Sequence, residues 1–375
     1  MTEGKTITCR AAVVWKANEP FVIEQIEVDP PKAGEVRVKI VSTGICFSDV
    51  SASTGKILGV QFPIILGHEA SAIVESIGEG VESVGVGDHV LPLFLPQCNR
   101  CRVCKDKNAN SCLEFMGSQV KGVMSDGTSR FRCRGETLYT FVGCSTFTEY
   151  SVISEINLAK INPEAPMKEA ALISCGISTG YGAAINSAGV KENSTCAVWG
   201  LGTLGLSTIM GCKKAGAKTI IGIDIIPEKF KLAAEMGCTD FVNPSELSVP
   251  IEQYLMEKYG GAIEYTFECI GRIQTMKQAF DCCAIGNGVC VLIGVAGLTD
   301  NLNISPGQFL AGKTLKGTLY GGYKSRDAVP KLVDELMNGK LKVDKFITHT
   351  MKLDDINEGF DLLKAGKSIR TILNL

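Results

Sequence analysis

The sequence predicts an α/β chain, with a doubly wound parallel sheet in its second half and a β-rich region ahead of it. Three observations carry this expectation. From about residue 193, short apolar runs alternate with stretches of helical length, the rhythm of parallel βαβ units. Residues 8–95 instead show short strand patterns separated by glycine-rich turns. Residues 96–115 have little periodicity and hold four closely spaced cysteines, as a loop folded around an ion would.

The elements follow in order. Glu35-Val36-Arg37-Val38-Lys39-Ile40 alternates charged with branched apolar side chains, the period-two pattern of a half-exposed strand. Glu69–Ile77 and His89–Phe94 read as further strands, joined by turns such as Gly78-Glu79-Gly80 and Gly85-Val86-Gly87. Residues 127–160 resume short strands, including Phe147–Ile153. In the second half, Ser194–Trp199 is a buried strand, Gly202–Ala215 a helix and Thr219–Ile225 a second buried strand. Pro227–Met236 is the next helix; proline suits its first turn, where the missing N–H would be unpaired anyway. Helix 251–258, strand 263–270, helix 273–284 and strand 288–295 continue the pattern. A last helix, Ile356–Lys364, leads into a terminal strand, Ser368–Leu373.

Totals narrow the class. A chain of 375 residues has room for two domains, each with its own core. A net charge of -2 with dispersed basic residues argues against a nucleic-acid partner. The longest apolar run, about Val289 to Leu298, is too short for a membrane span of about 20 residues. Residues 1–5 lack the apolar core of a secretory signal, and sixteen cysteines then imply a reducing compartment where thiols serve metals or cores. Cytoplasm is the expected location.

Cys98-x2-Cys101-x2-Cys104-x7-Cys112 has the spacing by which one loop closes a four-thiolate zinc site. A ferredoxin-like cluster is the rival, but it would place three residues between the third and fourth cysteines and proline after the fourth. Here seven intervene and Leu113 follows, so zinc is favoured.

Gly200-Leu201-Gly202-Thr203-Leu204-Gly205 fits G-x-G-x-x-G in the context that gives the pattern meaning: a strand before, a helix after, and Asp224 ending the next strand. Gly200 makes the turn, Gly202 admits a pyrophosphate and Gly205 lets helix and strand pack. The helix N-terminus favours that phosphate. Asp224 would accept hydrogen bonds from ribose hydroxyls and repel a 2′-phosphate, so NAD is expected over NADP.

Three further metal-ligating candidates lie outside the cysteine lobe: Cys46, His68 in Gly67-His68-Glu69, and Cys175. With only three histidines (His68, His89, His349), a site of histidines alone is nearly excluded. These residues, Ser48-Asp49, Gly87-Asp88, the four-cysteine lobe, Asp126-Gly127-Thr128-Ser129-Arg130, Ser178-Thr179-Gly180-Tyr181-Gly182, Gly200–Gly205 and Lys367-Ser368-Ile369-Arg370 occur in order. Together they resemble a vertebrate-type zinc alcohol dehydrogenase of the medium-chain dehydrogenase/reductase family, over essentially the whole chain.

The resemblance implies a Rossmann cofactor domain at about 179–321. It implies a discontinuous GroES-like catalytic domain at about 1–178 and 322–375. Cys46, His68 and Cys175 match catalytic zinc ligands, and Cys98, Cys101, Cys104 and Cys112 structural ones. Glu69 matches a carboxylate behind the metal that sometimes becomes a ligand, and Asp49 the partner that orients the histidine. Lys229 matches an adenosine-ribose contact and Arg370 a phosphate-binding arginine. The implied reaction is hydride transfer from an alcohol to NAD, with Ser48 taking the hydroxyl proton. Phe94, Phe115, Met116, Phe141, Val142 and Val295 match apolar residues of the substrate pocket, with Val295 also beside the cofactor. They favour medium-chain, aromatic or isoprenoid alcohols. Glutathione-dependent formaldehyde dehydrogenases carry an arginine at the position of Met116, so an anionic thiol adduct is poorly served. A homodimer through cofactor-domain edges near 300–318 is also implied.

Three positions depart from the family pattern. Phe47 stands where many relatives have a basic residue on the cofactor pyrophosphate, so weaker NAD binding is expected. Ser51 replaces a histidine that relays the proton to solvent, and serine does not titrate near neutral pH. Thr203 is larger than usual in the glycine loop and would crowd the pyrophosphate. Two rivals are a quinone-type reductase without these zinc ligands and a zinc-stabilised NAD-binding protein with little turnover.

Overall fold

The computed structural model describes residues 4–57, 59–297 and 299–375, without the side chains of Phe115 and Met116. Its chain forms two compact units: residues 1–175 with 324–375, and residues 176–323. The sequence places the same divisions at 178/179 and 321/322.

In the first unit, a closed barrel joins Ile7–Val14, Val22–Val28, Phe131–Cys133, Glu136–Thr140 and Ile64–Ile65. Beside it runs a sheet in the order Leu158–Lys160, His89–Pro92, Ala70–Ile77, Glu35–Ile45, Arg370–Asn374 and Ile347–Lys352. Tyr150–Ser154 also pairs with Glu35–Ile45. The terminal strand closes the unit by lying antiparallel to Glu35–Ile45, with Thr371 opposite Ile45. This register brings residue 370 beside residues 45–46 from across the whole sequence.

Glu35–Ile45 departs from the expected half-exposed strand. It is hemmed in by three neighbours, and two of its three charged side chains, Glu35 and Arg37, are buried, while Lys39 stays exposed. Arg37 Nε lies 2.6 Å from Glu75 Oε2, and Glu35 Oε1 2.6 Å from Arg130 Nη2. Pairing is what makes burial of such charges tolerable. The alternation seen in the sequence therefore marks the buried ion pairs of Glu35 and Arg37 and the exposed Lys39 on one face, and branched aliphatics, Val36, Val38 and Ile40, on the other.

The second unit is a six-stranded parallel sheet in the order Asp240–Val242, Thr219–Ile223, Thr195–Trp199, Tyr265–Glu268, Val289–Leu292 and Thr314–Gly317. Numbered along the chain this is 3-2-1-4-5-6, which reverses direction between the first and fourth strands. Helices Thr203–Lys214, Glu228–Met236, Ile251–Tyr259 and Ile273–Asp281 cross between strands. The core gathers Trp199, Ile221, Ile223, Leu255, Phe280 and Cys290. Helix 273–281 stops three residues before the expected end, and Lys313 Nζ caps it by donating to the carbonyls of Phe280 and Asp281, an ammonium on a helix C-terminus.

Candidate active site

The cysteine lobe folds as its spacing predicts. Cys101 N donates to Cys98 Sγ at 3.4 Å and Cys104 N to Cys101 Sγ at 3.3 Å, so each cysteine begins a turn that presents the next. Cys98 and Cys104 sulfurs are 3.9 Å apart, and those of Cys101 and Cys112 4.0 Å. A tetrahedron with zinc–sulfur bonds of about 2.3 Å has edges of about 3.8 Å; a disulfide would bring sulfurs to about 2.05 Å. The donor set and its spacing fit zinc. A one-turn helix, Arg102–Lys105, interrupts what the sequence reads as irregular loop. Lys324 Nζ caps it from the return segment, at 2.8 Å from the Val103 carbonyl and 2.7 Å from that of Cys104.

The second donor group joins Cys46, His68 and Cys175, whose ligand atoms all lie within 4.8 Å of one another. Cys175 Sγ is 3.3 Å from His68 Nε2. Zinc with one sulfur at about 2.3 Å and one nitrogen at about 2.05 Å would set them about 3.5 Å apart, so this set also fits. Asp49 organises it. Fully buried, its Oδ2 accepts from Cys46 N at 3.0 Å. Its Oδ1 accepts from Gly67 N at 3.0 Å and lies 3.1 Å from His68 Nδ1. One carboxylate thus fixes the first ligand and orients the second, leaving Nε2 toward the sulfurs. It can do so because Asp49 occupies the third position of helix Phe47–Ser53, from which a side chain reaches back to the N–H before the helix.

Charge follows geometry. Burial alone would lower the His68 pKa, but the Asp49 carboxylate and the Cys46 sulfur together outweigh it and hold the imidazole well above its ordinary value. A hydrogen bond from Cys175 holds the Cys46 thiol well below its ordinary value, with Arg370 and His68 adding to it against burial. Cys175, the other side of that hydrogen bond, is held well above.

Glu69, expected near the metal as an occasional ligand, is not in this donor group. Its Oε1 lies 3.0 Å from Arg370 Nε, and both side chains are buried. A buried carboxylate needs a counter-charge, and Arg370 supplies it while donating to the Ile45 carbonyl at 2.6 Å. Gly44 makes the room: a Cβ there would meet Glu69 Oε1 at 2.7 Å.

Ser48 Oγ lies 3.9 Å from Cys46 Sγ and is half-buried, while Phe47 is 57% exposed. Phe94 and Phe141 stand nearly perpendicular to the His68 ring, at centroid distances of 5.8 and 5.5 Å. Val142 is half-buried, and Val295, in the second unit, is 67% exposed. The side chains of Phe115 and Met116 lie outside the described residues. Ser174, which nothing in the sequence singled out, accepts from Ala70 N at 3.0 Å and donates to the Ala171 carbonyl at 2.7 Å. It ties the turn before Cys175 to the strand after His68.

On the second unit, Gly200 has φ +89°, open to glycine at little cost. A Cβ on Gly205 would lie 1.7 Å from the Gly200 carbonyl oxygen, whereas one on Gly202 would meet nothing within 4 Å. The loop is tight where helix meets strand and open where a pyrophosphate would approach, so it fits a dinucleotide. Leu204 is half-buried beside it and Thr203 buried. Asp224 is already engaged: Oδ2 accepts from Leu201 N at 2.7 Å and pairs with Lys229 Nζ at 3.2 Å, and Oδ1 accepts from Ile226 N at 3.0 Å. It braces the glycine loop from the neighbouring strand.

A doubly wound sheet with a glycine loop, in one chain with a β-rich unit bearing two thiol-rich donor groups, is the build of a zinc-binding dehydrogenase. Residues 32–163 match the alcohol dehydrogenase GroES-like domain and residues 203–338 the zinc-binding dehydrogenase domain. The chain is 51% identical over 374 residues to alcohol dehydrogenase class-3 of Drosophila melanogaster, covering 99% of each. With the Caenorhabditis elegans protein of the same name it shares 50% over 376 residues, 99% of this chain and 98% of the relative. A crystal structure described as an alcohol dehydrogenase zinc-binding domain protein from Burkholderia ambifaria superposes with a TM-score of 0.92 at 31% identity, covering 99% of this chain and all of that one. The chain belongs to the zinc-dependent alcohol dehydrogenases of the medium-chain dehydrogenase/reductase family, and is an oxidoreductase. These relatives give no support to a binding protein without turnover.

Proposed function

We propose that this alcohol dehydrogenase uses NAD, and that Cys46, His68 and Cys175 hold its catalytic zinc. The observation that carries the reading is the Asp49 carboxylate, which gathers Cys46, Gly67 and His68 around one point beside Cys175. A zinc ion in this three-ligand set supplies an open Lewis-acid position that acidifies an alcohol hydroxyl, and NAD supplies the hydride acceptor.

The chain's own residues do the rest. Ser48 Oγ receives the hydroxyl proton, its position fixed by the helix that starts at Phe47. Phe94 and Phe141 pack against the His68 ring with apolar phenyl groups, excluding water and favouring apolar primary or secondary alcohols over polar ones. The Glu69–Arg370 pair places a guanidinium beside Cys46. Ser51 carries no titrating group, so the pH profile of turnover should lack a histidine-like step from that position.

Cys98, Cys101, Cys104 and Cys112 hold a second zinc with no vacant position. Gly200, Gly202, Thr203, Leu204, Gly205, Asp224, Lys229 and Val295 form the NAD site of the second unit. A homodimer forms along the edge strand Thr314–Gly317, which among the described residues has a neighbour on one side only; Leu310 nearby is 91% exposed. Among the described residues no helix is long and apolar enough to cross a membrane, and cytoplasm is the proposed location. The test is NADH absorbance with a panel of primary alcohols, beside a zinc count per chain. Two zincs with turnover support the reading, and one zinc without turnover refutes it.

A further inference from the structure

The sheet of the second unit ends in three loops lying side by side: the glycine loop after Thr195–Trp199, residues 269–272 after Tyr265–Glu268, and residues 293–297 after Val289–Leu292. The middle loop is shaped by a buried carboxylate. Glu268 is fully buried, and its Oε1 accepts from Ile270 N at 3.0 Å, Gly271 N at 2.9 Å and Thr275 Oγ1 at 2.7 Å. Oε2 shares the Gly271 N–H at 3.1 Å. These donors are all neutral, and burial outweighs them to hold the carboxyl above its ordinary range. An arrangement this costly marks a group held for what it positions.

The loop it shapes is wedged between its neighbours. A Cβ on Gly200 would lie 2.6 Å from Ile270 Cγ1, so Ile270 packs directly on the glycine loop. On the other side, a Cβ on Gly271 would lie 2.5 Å from the Val295 carbonyl oxygen, and one on Gly294 2.6 Å from Glu268 Oε2. All of this sits where strand order reverses, the place where doubly wound sheets take their nucleotides.

We propose that Glu268, with Thr275, is a positioning residue for the dinucleotide: it pins residues 269–272 as the crevice wall that keeps Ile270 against Gly200. The inference rests on the reading of that crevice as the NAD site. Being buried, Glu268 acts through the backbone of its loop.

NADH fluorescence on the full-length, zinc-loaded protein tests this, with melting temperature and zinc content alongside. Glu268→Gln keeps the shape but turns one acceptor into a donor that faces the loop N–H groups. The NADH dissociation constant should rise roughly tenfold, with zinc content and the KM for alcohol unchanged. Thr275→Val should weaken binding roughly three- to tenfold while Thr275→Ser stays like wild type. Binding by Glu268→Gln within about twofold of wild type overturns the proposal. So does a KM for alcohol that rises in step with that for NAD, which marks general damage. Should Glu268→Gln fail to fold, equal binding by Thr275→Val and Thr275→Ser overturns it. A wild-type protein that binds no NADH removes the cofactor reading itself, an outcome distinct from a wild type that binds and a variant that binds equally well.

Discussion

Asp49→Asn should separate the two proposed zinc sites with a single change. The carboxylate accepts from Cys46 N and Gly67 N and faces His68 Nδ1, and it is fully buried. An amide keeps one oxygen, so whichever way it turns, at least one N–H of this set meets an NH2. One charge-assisted hydrogen bond is lost, about 1.5–3 kcal/mol, or roughly 10- to 150-fold in zinc affinity. That overlaps the 10- to 100-fold typical of partners behind metal ligands. The four-cysteine lobe has no bond to Asp49 and keeps its own N–H to sulfur contacts. Titration with a chromogenic chelator should therefore release zinc in two phases, with the weaker phase moved to roughly 10- to 100-fold lower chelator in the variant and the tighter phase unmoved. Turnover should fall with the first phase. Release of both ions at wild-type chelator concentrations would refute the role given to Asp49.

Other changes probe separate parts of the account. Phe47→Arg adds a charged donor at an exposed position at the start of helix Phe47–Ser53, and should lower the NADH dissociation constant by about tenfold or more; no tightening in fluorescence titrations would count against it. Asp224→Gly removes the carboxylate that braces Leu201 N and should raise the ratio of NADP to NAD turnover, read from kcat/KM for each; a ratio that stays put contradicts the assignment. Asp29 is held below the usual carboxylate range by hydrogen bonding from Arg132, with burial opposing. Its contribution to stability is present above the unfolded value of about 3.9 and fades as pH falls through the lower folded value. Asp29→Asn should therefore melt below wild type at pH 7, and a gap that persists undiminished into acid would show the pair to be inert.

Local chemistry was legible in the sequence. The cysteine spacings and the strand–glycine–helix context name their own geometry, because every residue involved lies within one turn or one loop. Cys46, His68 and Cys175 come from three separate segments, and only the family resemblance linked them before the structure did. Partnerships made by strand register were invisible. Nothing near Arg370 in the chain shows that it returns to Glu69 and Ile45, and the Glu35 and Arg37 charges read as solvated until Arg130 and Glu75 appear opposite them. The short strands Asp240–Val242 and Thr314–Gly317 escaped because three or four residues, largely exposed in the second case, carry too little periodicity. Glu268 falls inside the expected strand 263–270 with nothing to single it out; its role emerges only from the loop that folds back on it.

Zinc X-ray absorption on the purified protein, compared with a Cys46→Ala variant, reports on both proposed donor groups at once. Two zincs per chain are expected, with averaged first-shell scattering of three sulfurs at about 2.3 Å and one lighter atom, and loss of the mixed sulfur–nitrogen ion alone on substitution. A single all-sulfur zinc in both proteins would contradict this.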